Sequence, residues 1–213
     1  MGDTLDKYRD SHHEFTHDVS SAKGENPLDL FNEWFEIAAQ GKDREVNAFV
    51  LGTSNSDNQP SSRIVYLKDI LDKKFVFYSN YESQKGSEIL ANSKVSMLFF
   101  WPTLSRQIRI EGLCTHVAPE ISDAYFKSRP RGSKIGAWAS NQSSLLEDRA
   151  ELEARLEEFN EKYGEEVPRP DNWGGFQIDA TLFEFWSGRK SRLHDRLVFT
   201  KNDSSWDITR KNP

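Results

Sequence analysis

The chain has 213 residues, enough for one substantial core or at most two small domains. Asp and Glu number 34 against 28 Lys and Arg, a formal net charge of −6, which argues against a general nucleic-acid or membrane-surface binder because those carry a dominant basic field. A single cysteine, Cys114, excludes an internal disulfide, and no apolar run approaches the ~18 residues of a membrane span. The opening "MGDTLDKYRDSHHEF" has no apolar signal core, so a soluble cytoplasmic protein is expected.

Residues 1–25 are polar and read as a mobile arm. They hold His12, His13 and His17 without a carboxylate or cysteine at a recognised ligand spacing, so no metal is expected there. Order begins at "NPLDLFNEWFEIAAQG", where Asn26 can cap a helix, Pro27 suits its first turn and Gly41 its end. Leu30, Phe31, Trp34, Phe35 and Ala38 form one apolar helical face, read as core packing.

Short strands follow. "VNAFVLGT", "SSRIVYLKDI", "KKFVFYSN", "KVSMLFFW" and "RQIRIEGLCTHV" are β-branched or aromatic runs separated by turn clusters. The spacing after Asp72 suits a hairpin return, and "SQKGSEILANS" reads as a short helix. Two helices are predicted over roughly 119–128 and 144–163, the second with Leu145, Leu152, Leu156 and Phe159 on one side and a solvated charged face on the other. Strands return at "GGFQIDATLFEFW", "RLVFT" and "SSWDIT", and "WGG" at 173–175 reads as a turn. Cys114 lies on an alternating pattern as a small core residue. Strands in adjacent runs, without βαβ alternation, predict an α+β protein: an antiparallel barrel with peripheral helices, one domain over 26–213.

The charge distribution is uneven. Residues 124–146 contain no acid, while "YFKSRPRGSKIGAWASNQSS" (125–144) carries Lys127, Arg129, Arg131, Lys134 and five serines among aromatic residues. "SSRIVYLK", "YSNYESQKG" and "FWSGRKSRLHDR" combine cations, hydroxyls and rings in the same way, with Gln107 as a further piece. Guanidinium groups fit phosphate bidentately, hydroxyls complete the shell and Lys adds a point charge. The interleaved rings suggest a phosphorylated aromatic ligand rather than free phosphate. RNA would also match, but no RRM or KH pattern is present. Metal-ligand spacings, a GxSxG elbow, GxGxxG and a Walker loop are all missing.

"RIVYLK", "FYSN", "RQIRIEG", "YFKSRPRGSKIGAWASNQSS", "PDNWGGFQI" and "EFWSGRKSRLHDR", in that order from about Pro27 to Val198, closely resemble the pyridoxamine (pyridoxine) 5′-phosphate oxidase family. The resemblance implies an FMN-binding split β-barrel and a homodimer with active sites at the subunit interface. It implies oxidation of pyridoxamine or pyridoxine 5′-phosphate to pyridoxal 5′-phosphate, with dioxygen as acceptor and hydrogen peroxide released. Arg63, Ile64, Val65 and Tyr66 would line the FMN, with Lys68 at the edge of the same strand. Tyr78, Ser79, Gln84 and Lys85 would join them, and Gln107, Gln142, Ser143, Trp186 and Arg196 would complete that site. Lys68, Tyr125, Arg129 and Ser133 would hold the substrate phosphate. Arg192 and His194, with Leu193 between them, would flank the pyridine ring near the carbon that loses hydride, as the catalytic pair. Tyr8 would match a lid tyrosine on the arm.

Three positions depart from the family pattern. Gln84 stands where the family typically has Arg, Leu5 and Asp6 stand where a lid arginine is usual, and "ITRKNP" replaces the usual ending. Two other readings stay open: a non-catalytic flavin or B6-phosphate binder (or related flavin reductase) of the same architecture, and a polyanion-binding module without chemistry.

Overall fold

The first helix is capped as the sequence predicts. In the computed structural model, which describes residues 26–203 and 205–213, helix α1 (Pro27–Gln40) starts with the Leu28 N–H donating to Asn26 Oδ1 at 3.1 Å. It ends with the Gly41 N–H on Ala38 O at 3.0 Å and buries Leu30, Phe31, Trp34 and Ala38. The expected arm, with Tyr8 and the three histidines, lies outside the described residues.

Nine strands follow: β1 (Ala48–Ser54), β2 (Pro60–Tyr66), β3 (Asp69–Leu71), β4 (Lys74–Asn80), β5 (Lys94–Trp101), β6 (Arg106–His116), β7 (Trp173–Ser187), β8 (Asp195–Asn202) and β9 (Ser205–Arg210). The sheet order is β2-β1-β5-β6-β7-β4-β3, with β8 pairing β7 and β9 pairing β8. The β1–β2, β3–β4, β4–β7, β7–β8 and β8–β9 pairs are antiparallel. Asp72 and Lys73 turn β3 into β4 with φ of 48° and 66°, the left-handed pair a type I′ hairpin requires. The run "SSRIVYLKDI" is two strands rather than one. The chain leaves β2 after Tyr66, and the Leu67 and Lys68 N–H groups donate to Asn47 O and Val76 O.

Helices α2 (Gln84–Ala91), α3 (Pro119–Ser128), α4 (Arg131–Ala139) and α5 (Arg149–Lys162) complete the elements used below. Two expectations are corrected, and one helix was not foreseen. "WGG" is not a turn but the start of β7, with Asn80, Ser79 and Tyr78 opposite Trp173, Gly174 and Gly175. Helix α4 has no apolar stripe to announce it, burying only Ile135 and Ala139. The helix expected from 144 begins at Arg149 because Asp148 caps it, accepting the Glu151 N–H at 2.9 Å. Leu145 is fully exposed, and α5 buries no residue.

The described chain forms two compact units, residues 26–46, 98–110 and 181–213 in one and 47–97 and 111–180 in the other. The first packs Phe31 on Phe99, Trp34 on Phe185 and Phe185 on Phe199. The second packs Phe77 between Phe49 and Phe176, with centroids 6.1 and 5.1 Å away. Cys114 is buried, and burial pushes its thiol pKa up to about 12, which leaves it inert. No helix among the described residues is long and apolar enough to cross a membrane.

Candidate active site

A cleft of about 530 Å³ opens in the second unit where β2, β4 and the start of α2 converge. Strand β2 supplies Ser61 to Tyr66, with Ser61, Arg63 and Val65 half-buried and Ile64 and Tyr66 exposed. Lys68, Tyr78, Ser79, Gln84, Lys85, Gln142 and Ser143 complete the lining. Every cofactor residue expected between 63 and 85, together with Gln142 and Ser143, is thus on one surface. Ser79 Oγ donates to Gln142 Oε1 at 3.3 Å, and Ser143 is held at φ 74°, a left-handed conformation that costs a non-glycine residue energy.

The electrostatics turn on a residue the sequence reading missed. Glu88 is buried one helical turn after Gln84 and accepts hydrogen bonds from Thr53, Ser61, Arg63 and Gln84, the last two at 3.1 and 2.9 Å. Burial alone would raise its pKa. The hydrogen bonds from Thr53, Ser61, Gln84 and Arg63 outweigh it and hold the carboxyl at about 2. In sequence Glu88 reads as an ordinary helix charge, and only its i+4 spacing from Gln84 hints at the contact. Lys85 is also buried, its Nζ 3.2 Å from Ser79 Oγ and 3.1 Å from Ser83 Oγ. No carboxylate lies within ion-pair distance of it among the described residues. Burial, then the nearby Arg63 charge, lower its pKa, with Glu88 opposing. A buried ammonium held by two neutral hydroxyls is poised for an anion.

A second cleft, about 400 Å³, shares Lys68, Tyr78, Ser79 and Gln142 with the first and adds Tyr125, Arg129 and Ser133. The four residues expected at the substrate phosphate are therefore together. Asn80, Pro130 and Trp173 also line it and were not foreseen. Tyr78 and Tyr125 stack with centroids 3.7 Å apart and planes 7° from parallel. Burial first, then Tyr125, raise the Tyr78 pKa to about 12, so its phenol stays protonated. Arg129 Nη1 is buried with no hydrogen-bond partner among the described residues, an orphaned donor at the cleft wall.

Gln107, Trp186, Arg192, Leu193, His194 and Arg196 lie in the first unit. Trp186 and Arg196 are opposite each other in the β7–β8 ladder. Arg196 binds the buried Glu184 through Nε at 2.9 Å, and Glu184 also holds Arg109 at 2.8 Å. Burial opposes ionisation of Glu184, but the two arginines prevail and lower its pKa. His194 Nδ1 accepts the Arg189 N–H at 3.1 Å, and its ring lies 4.7 Å from that of Trp186. Ser191 and Arg192 have φ of 57° and 62°, so backbone strain falls on Arg192, one of the expected catalytic pair, and on the residue before it. No group of His, Cys, Asp or Glu among the described residues could hold a metal ion.

Residues 37–163 match the family Pyridoxamine 5′-phosphate oxidase, and residues 173–213 match the Pyridoxine 5′-phosphate oxidase C-terminal dimerisation region. The chain belongs to the pyridoxamine 5′-phosphate oxidase family. Pyridoxine/pyridoxamine 5′-phosphate oxidases of Bordetella petrii and Paraburkholderia phytofirmans are similar to it at 52% identity over 189 residues and 50% over 190. Each alignment covers 88% of this chain, and 90% and 89% of the respective relative. Among solved structures, PhzG from Burkholderia lata 383 in complex with tetrahydrophenazine-1-carboxylic acid is similar with a TM-score of 0.87 and 28% identity, covering 93% of this chain and 98% of that one. A pyridoxamine 5′-phosphate oxidase-related, FMN binding protein from Nostoc punctiforme PCC 73102 has a TM-score of 0.71 at 13% identity, covering 89% of this chain and all of its own. That likeness is one of fold: the α+β, mainly antiparallel split barrel with peripheral helices expected for this family.

Proposed function

We propose that this family member is an FMN-dependent oxidase, converting pyridoxamine or pyridoxine 5′-phosphate to pyridoxal 5′-phosphate with dioxygen as acceptor and hydrogen peroxide released, the amine also consuming a water and releasing ammonia. It works as a homodimer with its active sites at the interface, in keeping with the match to a dimerisation region. The observation that carries the reading is the pair of joined clefts, each with a cation whose donors lack a carboxylate: Lys85 in one, Arg129 in the other. Two anionic groups fit that pair, and the shared Tyr78 places an aromatic face between them.

The residues present suit FMN. Lys85, Arg63, Gln142 and Ser143 would hold its phosphate, and Ile64, Val65 and Tyr66 would line its length. By family resemblance Gln107, Trp186 and Arg196 belong to the same cofactor. When bound, FMN supplies a two-electron acceptor that dioxygen reoxidises. Lys68, Tyr125, Arg129 and Ser133 bind the substrate phosphate, two cations and two hydroxyls for a dianion. Arg192 and His194 orient the substrate ring. Because His194 Nδ1 accepts a backbone N–H, the neutral imidazole carries its proton on Nε2.

The test is the purified protein with FMN, oxygen and each substrate. Peroxide with pyridoxine or pyridoxamine 5′-phosphate, one FMN per chain, is the expected result. A protein that binds FMN yet makes no peroxide with either is the non-catalytic binder. Turnover of tetrahydrophenazine-1-carboxylic acid instead would overturn the substrate assignment.

A further inference from the structure

We propose that Trp173 is a positioning residue for Arg129: its indole face stands where a counter-ion would, so the guanidinium keeps its N–H donors for a ligand phosphate. The inference rests on the substrate assignment above and deepens it. Arg129 Cζ lies 4.4 Å from the Trp173 ring centroid and 5.4 Å from that of Phe126, which itself meets Trp173 edge-on at 5.1 Å. Burial lowers the Arg129 pKa, with Tyr125 opposing, so the site carries a desolvation cost that some partner must offset. An acid would do so, but it would occupy the in-plane fork that recognises phosphate. An aromatic face attracts the cation from above and leaves that fork open.

The surroundings are built to the same end. Asp123, the acid nearest in sequence, is taken by Arg169 at 2.6 Å. The same Arg169 donates through Nη1 to Trp173 O at 2.7 Å, and the Trp173 N–H donates to Pro170 O. Ring orientation is fixed as well, since Trp173 lies within 9° of parallel to Tyr78 and 7° to Tyr125. Trp173 is itself buried and lines the cleft, at the first position of β7.

The experiment uses the FMN-loaded protein and four variants: Trp173→Leu, Trp173→Phe, Arg129→Ala and the Trp173→Leu/Arg129→Ala double. KM and kcat for pyridoxine 5′-phosphate are measured, together with the Kd of pyridoxal 5′-phosphate by equilibrium dialysis. Trp173→Leu should raise KM and Kd by about three- to thirtyfold, the range of a desolvated cation–π contact, with kcat and FMN content little changed. Trp173→Phe should recover most of the loss. In the Arg129→Ala background, Trp173→Leu should add less than about twofold, because the group it positions is gone. Full additivity in the double variant, or a Phe variant no better than Leu, makes Trp173 merely structural and overturns the proposal. Should Trp173→Leu not fold, Trp173→Met removes the ring at closer volume and is read by the same criterion. A wild type without turnover whose pyridoxal 5′-phosphate binding still shows the coupling would sink the oxidase reading and keep this one. A wild type that binds no pyridoxal 5′-phosphate overturns both.

Discussion

Arg131 donates to Gly164 O at 3.0 Å, Asn160 O at 3.1 Å and Tyr163 O at 2.6 Å, closing the C-terminal end of α5, whereas Arg129, two residues earlier, leaves a buried donor unpartnered at the cleft. Composition alone counts both as anion-collecting cations. Arg129→Ala should therefore raise KM for pyridoxine 5′-phosphate by about ten- to a hundredfold with FMN retained, since a charge-assisted hydrogen bond is worth roughly 1.5–3 kcal/mol. Arg131→Ala should leave KM unchanged and instead speed amide exchange over 149–162. Steady-state kinetics and exchange on the same two proteins check the contrast. Glu88 sets a second residue-scale expectation. Its folded-state pKa of about 2 lies below the ordinary 4.5, so its stabilising contribution is complete above pH 4.5 and is lost as pH falls toward 2. Urea unfolding should show the wild type losing more stability than Glu88→Gln between about pH 5 and pH 2.5. An equal loss in both would mean that the Glu88 network does not stabilise the fold. Glu88 also revises what position 84 can do. Gln84 Nε2 donates to Glu88 Oε1 at 2.9 Å, so the guanidinium of Gln84→Arg would meet a carboxylate already shared with Arg63. Its gain in FMN affinity should fall short of the roughly 1.5–3 kcal/mol of a full charged contact and shrink with salt. FMN titrations at low and high salt measure this.

At the level of elements, β7 shows why a turn-like sequence can be a strand. Gly174 and Gly175 look like turn punctuation, yet they give the Tyr81 and Tyr78 rings room against the β7 backbone. A Cβ at Gly174 would meet the Tyr81 phenol and Ser122 Oγ, and one at Gly175 would lie 2.6 Å from Val117 Cγ2 and 2.9 Å from Tyr78 Cε1. Gly175→Ala should cost about 1–3 kcal/mol through overpacking, lowering Tm by roughly 2–4 °C per kcal/mol. Because Tyr78 lines both clefts, FMN and pyridoxal 5′-phosphate affinities should fall together, which calorimetry and titration can follow. The strands were legible wherever alternation fed a buried face, as in β1, β5 and β6, whose inward residues repeat at every second position. Helix α1 was legible from its caps and its apolar stripe. Helix α4 was not, because little of its surface is buried, whereas α5 was legible in its body and misplaced only at its start, which Asp148 sets. Tertiary contacts stabilise them: Arg131 at the end of α5, and Trp138 of α4 at 5.7 Å from Phe159 and 5.2 Å from Tyr163. The candidate site was legible where it recurs as a motif, hence Arg63 to Lys85 and Tyr125 to Ser143. Glu88 and Trp173 escaped because each acts through another side chain, Arg63 and Arg129 respectively, and such roles leave no local pattern.

For the whole molecule, the distribution of residues between chains makes the homodimer testable without a structure of it. Arg129 and His194 fall in different compact units of the chain, and the family resemblance places the active sites between two subunits. Exposed apolar side chains on the strands, Ile64 at 66% and Phe100 at 57% among them, are of the kind a second copy covers. If each active site takes Arg129 from one protomer and His194 from its partner, two crippled variants should complement. In a mixed dimer of Arg129→Ala and His194→Ala chains, one site carries both lesions and the other carries neither. Random co-assembly makes half the dimers mixed, so about a quarter of all sites should regain wild-type kcat/KM. Neither variant alone should show such a population, and its KM should match the wild type because the surviving sites are intact. If both residues served the same protomer's site, every site in the mixture would carry one lesion, and mixing would give only the average of the two parents. Co-expression under two affinity tags, with the doubly tagged species assayed for peroxide formation, separates these outcomes. Parental activity in that mixed species would put Arg129 and His194 in one protomer's site and remove the interface from the mechanism.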